Sequence, residues 1–170
     1  KKILVPFKRP ESLSNDNSKT YDVVKHAVNW YEKNIDKVSK IVVLQPTTPF
    51  RNENHIDECI KKLENNSKAN SIITVKEIDY PLEWSLKKEK KYIKFNSLKG
   101  KKIFKRQDAK KYFKPSGLVY VIKRDYFFKM KTILPNSKCL FLDTKAEDSI
   151  NIDTEIHFKF ATFLSKNRKL

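Results

Sequence analysis

A chain of 170 residues is long enough for one domain that buries about two thirds of the surface it exposes when unfolded. With 39% hydrophobic and 34% charged residues, and 11 Phe and 7 Tyr among them, it is not a disordered composition, and it holds no run of about 18 apolar residues to cross a membrane. The formal net charge of +17 favours anionic partners, yet the excess is mostly lysine scattered over nearly every segment, with no basic tail and no RNP-like aromatic motif, so it reads as a solvated surface that attracts small anions rather than nucleic acid.

Taken in chain order, Lys1 to Pro6 reads as a short strand, and Arg9 to Lys19 as a polar, turn-rich segment. Thr20 is placed to N-cap a helix in which Val23, Val24, Ala27, Val28 and Tyr31 recur at helical spacing and which Asn34 closes. Ile41–Leu44 is a continuous apolar, β-branched run, as in a strand buried on both faces, and it stops at Gln45-Pro46-Thr47-Thr48-Pro49. A second amphipathic helix follows, with Ile56, Cys59 or Ile60, and Leu63 on one face, and then a strand at Ser71–Val75. The alternation of strand and helix predicts an α/β fold, a Rossmann-like, mostly parallel sheet flanked by helices in a single domain over 1–170.

After Val75 the texture changes. Residues 80–116 carry two aromatic strand candidates, Trp84–Leu86 and Tyr92–Phe95, separated by the charge run Lys87–Lys91, and form an excursion from the sheet. Leu118–Ile122 resumes a core strand, Phe127 and Phe128 sit in a short helix, Leu140–Leu142 is a short strand, and Thr154–Leu164 is a closing amphipathic helix. Cys59 and Cys139 are isolated, which points to buried thiols in a reducing, cytoplasmic compartment rather than to a disulfide or zinc site. Only two glycines occur, so neither a dinucleotide fingerprint nor a P-loop is present, and His26, His55 and His157 are not spaced as metal ligands.

A parallel α/β sheet carries its ligands beyond the carboxyl ends of its strands, which singles out Gln45 to Arg51. There an amide and two hydroxyls stand on a loop stiffened by Pro46 and Pro49, with Arg51 behind them; the same residues would also serve as a plain rigid turn into a helix.

Leu44-Gln45-Pro46-Thr47-Thr48-Pro49-Phe50-Arg51 is similar to the LQPTSPLR signature of the acylneuraminate cytidylyltransferases, which include the CMP-sialic acid and legionaminic acid synthetases. Three further segments fall in that family's order. Phe7-Lys8-Arg9-Pro10 with Leu13 and Asp16 resembles its RP-x-x-L-x-x-D loop. Arg106-Gln107-Asp108 with Pro115, Gly117 and Tyr120 resembles its RRQ-x-x-P…PNGAIY block, and Asn151-Ile152-Asp153-Thr154-Glu155 its DIDTE segment. The resemblance implies a homodimer joined through 80–116, and a reaction in which the anomeric hydroxyl of a nine-carbon acidic sugar displaces pyrophosphate from CTP, with Mg²⁺ as cofactor.

Carried over by position, the resemblance gives Arg9 and Thr20 to the nucleotide, and Gln45 to both nucleotide and sugar. It gives Arg106 to the sugar carboxylate, which a guanidinium can grip with a bidentate fork. Ser116, Tyr120 and Phe141 fall to the sugar pocket, and Asp153 and Asn151 to the metal; Gln45, Arg106 and Asp153 are the catalytic candidates. There are two departures. Asn151 stands where the family has aspartate and Ser116 where it has asparagine, which weakens the metal site and leaves the sugar substituent open. The family's opening strand and its glycine- and lysine-bearing triphosphate loop have no counterpart, so the chain is expected to be N-terminally truncated and not to turn CTP over by itself. The rival expectations are a related enzyme acting on a different sugar acid such as Kdo, and a non-catalytic binding or dimerisation module.

Overall fold

The structure, a computed structural model, describes residues 5–96, 105–134 and 137–167. The described residues form four helices and six strands, in the order α1 (Thr20–Asn34), β1 (Lys40–Val43), α2 (Glu53–Glu64), β2 (Ser71–Glu77), β3 (Leu86–Glu89), β4 (Tyr92–Phe95), β5 (Phe113–Lys123), α3 (Arg124–Met130), β6 (Cys139–Asp143) and α4 (Glu155–Asn167). The chain forms two compact units. The first takes Lys1–Pro46, Asn52–Ile73 and Leu118–Leu142, and the second Thr47–Arg51, Thr74–Gly117 and Asp143–Leu170.

The main sheet has the order β1-β5-β2-β6. β5 runs antiparallel to β1, with Lys40 opposite Lys123 and Val43 opposite Tyr120. It also runs against β2, because Lys123 N–H reaches the Asn70 carbonyl at one end and Ile78 N–H reaches that of Tyr112 at the other. β2 and β6 run together, tied by Asn70 N–H to Lys138 and Thr144 N–H to Val75. Three of the four strands therefore share a direction and β5 opposes them, which refines the mostly parallel sheet expected from the sequence.

The core of the first unit lies on both faces of β5. Leu118, Val119 and Val121 pack with Ile72, Leu142 and the α2 residues Cys59 and Leu63, while Ile122 packs with Ile41, Val28 of α1 and Phe127 of α3. Phe127, fully buried against Tyr21 and Phe128, gains about 2–3 kcal/mol from its removal from water. Both faces are apolar, so this stretch of β5 reads as an unbroken hydrophobic run. α2 starts in a capping box, in which the Asn52 side chain accepts from His55 N–H and His55 Nδ1 accepts from Asn52 N–H.

Several local expectations shift. Thr20 is the first helical residue of α1 rather than its cap; Lys19 holds that position with no side-chain hydrogen bond. Trp84 lies in a short 3-10 turn, and the excursion's two strands are the hairpin β3–β4, turned at Lys90 with φ 51°. Of the strand expected at the start, Lys1–Leu4 fall outside the described residues, and Val5 and Pro6 are exposed coil. α4 buries Ala161 but leaves Ile156, Phe160 and Phe163 exposed.

Candidate active site

Three of the four motif segments meet inside the second unit, and the loop after the first strand is their hub. Thr48 is buried; its hydroxyl donates to the Gly117 carbonyl at 3.4 Å and accepts from Arg51 Nη1 at 2.9 Å. The preceding carbonyl, of Thr47, accepts the Ile152 N–H at 2.9 Å. Residues 47–51, 116–117 and 151–153, far apart in sequence, are thus stitched together by backbone and hydroxyl contacts. Gly117 is required twice over. Its φ of +82° disfavours any side chain, and an added Cβ would stand 3.2 Å from the Thr48 methyl.

Beside that junction, Ser116 is buried and its Oγ has no hydrogen-bond partner. Asn151 Nδ2 donates to both carboxylate oxygens of Asp153, at 3.0 Å each, while its own Oδ1 is buried without a partner. Thr154, not Asp153, caps α4, its Oγ1 accepting the His157 N–H at 3.4 Å. As arranged, this pair does not fit a resident Mg²⁺. It offers one carboxylate, both of whose oxygens already accept amide hydrogens, and among the described residues no group of three His, Cys, Asp or Glu side chains could hold a metal.

The sequence did not single out Lys76. It is half-buried at the end of β2 and donates to the Ser149 carbonyl at 2.8 Å, two residues before Asn151; burial and the nearby Lys114 lower its pKa. Ser149 is fully buried and linked to Thr144 at 2.6 Å, which in turn donates to the Val75 carbonyl. Only this tertiary network marks Lys76, one of many lysines in a chain rich in them. Glu83 was also missed: it is buried, with Oε1 accepting from the Tyr112 hydroxyl at 3.0 Å and Oε2 unpartnered.

Arg106 stands exposed on a 3-10 turn of the second unit and lines a cavity of about 320 Å³ whose walls include Glu77, Tyr80, Pro81, Gln107, Lys110 and Lys111. Lys111 is engaged by Glu77 at 3.0 Å, which leaves Arg106 and Lys110 as the positive groups facing the space. An anion with an apolar body matches that lining.

The other candidates belong to the first unit. Gln45 is half-buried just past β1, and Tyr120 is buried on β5 opposite Val43, where burial raises its pKa. Arg9 and Thr20 are exposed; just before Arg9 the chain is anchored by Phe7, whose ring lies 5.1 Å from both His26 and Trp30 of α1. Phe141 is exposed on β6. Both cysteines are free, and burial pushes the Cys59 thiol up to about 11.

The fold is similar to that of two solved cytidylyltransferases. The solved structure of 4-diphosphocytidyl-2C-methyl-D-erythritol synthase from Anaerococcus prevotii matches 87% of this chain and 64% of its own length at a TM-score of 0.56 and 12% identity. That of CMP:2-keto-3-deoxy-manno-octonic acid synthetase complexed with CTP matches 89% and 70% at 0.55 and 12%. No family model matches the chain. Among curated proteins it is similar to N-acylneuraminate cytidylyltransferases. It is 26% identical to that of Escherichia coli O18:K1:H7 over 165 residues, and 26% identical to that of Streptococcus agalactiae serotype III over 157. These alignments cover 95% and 92% of the chain but 38% and 36% of the relatives, so the chain spans little more than a third of their length.

Proposed function

We propose that this chain is the sugar-gripping part of a cytidylyltransferase that moves CMP from CTP to the anomeric hydroxyl of a nonulosonic acid and releases pyrophosphate. The observation that carries the reading is the junction of loop 47–51, Gly117 and Ile152, which joins three segments matching the motifs of the homologous enzymes. In this reading the sugar hydroxyl attacks the α-phosphorus in line and pyrophosphate departs. Arg106 holds the sugar carboxylate, and Gln45, set by Pro46, orients sugar and nucleotide. On the same resemblance Arg9 and Thr20 are assigned to the cytidine, and Ser116 and Tyr120 to the sugar. The chain supplies position and charge complementarity rather than a covalent intermediate. Asp153 would be the residue to meet a Mg²⁺ brought in with the nucleotide, where the ion would offset phosphate charge; pairing of two copies through 80–116, with Phe141 at the partner's sugar, is proposed on the same resemblance.

Calorimetric titration of CMP and a panel of nonulosonic acids into the chain, beside an assay of pyrophosphate release from CTP, tests the reading. Binding of at least one such acid is expected, and Arg106→Ala should weaken it about tenfold or more, as befits a charge-assisted bidentate contact. Equal binding by the variant, or no binding of any acid, overturns the assignment. A second reading, a non-catalytic relative that binds without turnover, is favoured by the amide that Asn151 places on Asp153; turnover by the intact homologue carrying this sequence would remove it.

A further inference from the structure

Two lysines of the second unit face each other across neighbouring strands. Ile78 N–H donates to the Tyr112 carbonyl at 2.8 Å, which sets those two residues opposite one another. Two residues further along each antiparallel strand, Lys76 of β2 stands opposite Lys114 of β5. Like charges so placed repel, and partial burial of Lys76 adds to the cost. Burial first, and then the charge of Lys114, lower the Lys76 pKa, with Asp79 acting the other way as the smallest influence. The adjacent Glu77 gives no relief, since it falls on the other face of β2 and pairs with Lys111 at 3.0 Å. Among the described residues Lys76 makes one hydrogen bond, to the Ser149 carbonyl at 2.8 Å, which leaves two ammonium hydrogens uncommitted, and Lys114 has no ion pair. Ser116, two residues along β5 from Lys114 and so on the same face, adds a buried hydroxyl without a partner.

We propose that Lys76 and Lys114 together bind a phosphoryl group and do so without a divalent cation. Two ammonium groups with rotatable donors suit a tetrahedral phosphate carrying up to about two negative charges, whereas a planar guanidinium is the better match for a single carboxylate. The placement gives the pair its consequence. Lys76 holds the carbonyl two residues before Asn151, whose amide on Asp153 leaves that segment unfit for a resident Mg²⁺. Fixed ammonium groups therefore supply positive charge beside a segment that lacks the second carboxylate a metal would need. Ser116, given to the sugar in the reading above, borders the pair. The inference does not rest on that reading, since it concerns phosphate and uses neither Arg106 nor the residues lining its cavity.

The probe is pyrophosphate, titrated by calorimetry into the 170-residue chain at low ionic strength with EDTA present. Binding is expected without added Mg²⁺. Lys76→Met and Lys114→Met should each weaken it about tenfold or more, and Lys76→Arg, which keeps the charge, should weaken it less than Lys76→Met. Lys88→Met, which removes one charge from the exposed β3–β4 hairpin, and Arg106→Ala should each stay within about twofold of the parent, because distant exposed charges are screened. Circular dichroism reports the fold of each variant; should Lys76→Met not fold, Lys114→Met, at an exposed position, decides the matter. The proposal is overturned by no binding, by binding that needs Mg²⁺, or by equal affinity in the folded lysine variants. It is equally overturned if Lys88→Met or Arg106→Ala loses as much, or if acetate displaces pyrophosphate at comparable concentration, because the pair then senses any negative charge rather than a phosphoryl group.

Discussion

Gly117 bears most directly on the proposed site at the scale of single residues. Its left-handed backbone lets β5 continue while its carbonyl turns toward Thr48, and the missing side chain makes room for the Thr48 methyl. Gly117→Ala is expected to cost about 1–3 kcal/mol from the positive φ together with the tight contact, read as a lowered urea midpoint at unchanged slope. Asn151 governs the neighbouring segment. Its amide donates to both oxygens of Asp153, so Asn151→Asp replaces an attraction with two adjacent carboxylates. That variant should be less stable without divalent cations and should bind Mg²⁺ more tightly by calorimetry than the parent; equal affinity would show that the pair does not control cation binding.

Among elements, α1 is tied to the first residue of α3 by one ion pair with good geometry. Arg124 Nε and Nη2 each donate to a different oxygen of Glu32 at 2.9 Å, and the guanidinium lies over the Phe128 ring at 4.5 Å. The hydrogen bond from Arg124 holds the Glu32 carboxyl below its usual range, against a smaller opposing effect of burial. A carboxyl with a lowered folded pKa contributes stability that is present above its unfolded pKa and is lost as pH falls through the folded value. Chemical unfolding at a series of pH values should therefore show a decline beginning near pH 4 and continuing below it, and Glu32→Gln should flatten that decline relative to the parent. The helix pattern itself was legible: the spacing from Val23 to Tyr31 and from Ile56 to Leu63 gave α1 and α2, with Val28, Cys59 and Leu63 on their buried sides. The cap of α1 was not. Thr20 is a good capping residue by type, but the chain turns into the helix one position earlier and leaves its hydroxyl exposed.

For the whole molecule the governing quantity is charge. With a formal net charge of +17, the folded state carries substantial self-repulsion, and the ion pairs present are mostly exposed and individually weak. Raising the salt concentration from about 20 mM to about 0.5 M shortens the screening length from roughly 20 Å to roughly 4 Å. The thermal midpoint is expected to rise over that range, measured by circular dichroism; a fall would mean that attractive pairs outweigh repulsion. The described residues include no helix long and apolar enough to cross a membrane.

The amino-acid sequence by itself determined the order of strands and helices, the apolar runs that become the core, and the four motif segments that point to a cytidylyltransferase. These are local or pairwise regularities, set by backbone geometry and side-chain chemistry within a few residues. What only the tertiary structure decided is how segments distant in sequence meet: the opposed direction of β5, the junction of loop 47–51 with Gly117 and Ile152, and Lys76 beneath Ser149. Strand direction and such contacts depend on which surfaces bury one another, a sum over the whole chain that no short stretch encodes. A lysine among 37 basic residues carries no mark in sequence; it becomes distinctive only when packing takes it partly out of water and gives it a single carbonyl to bind.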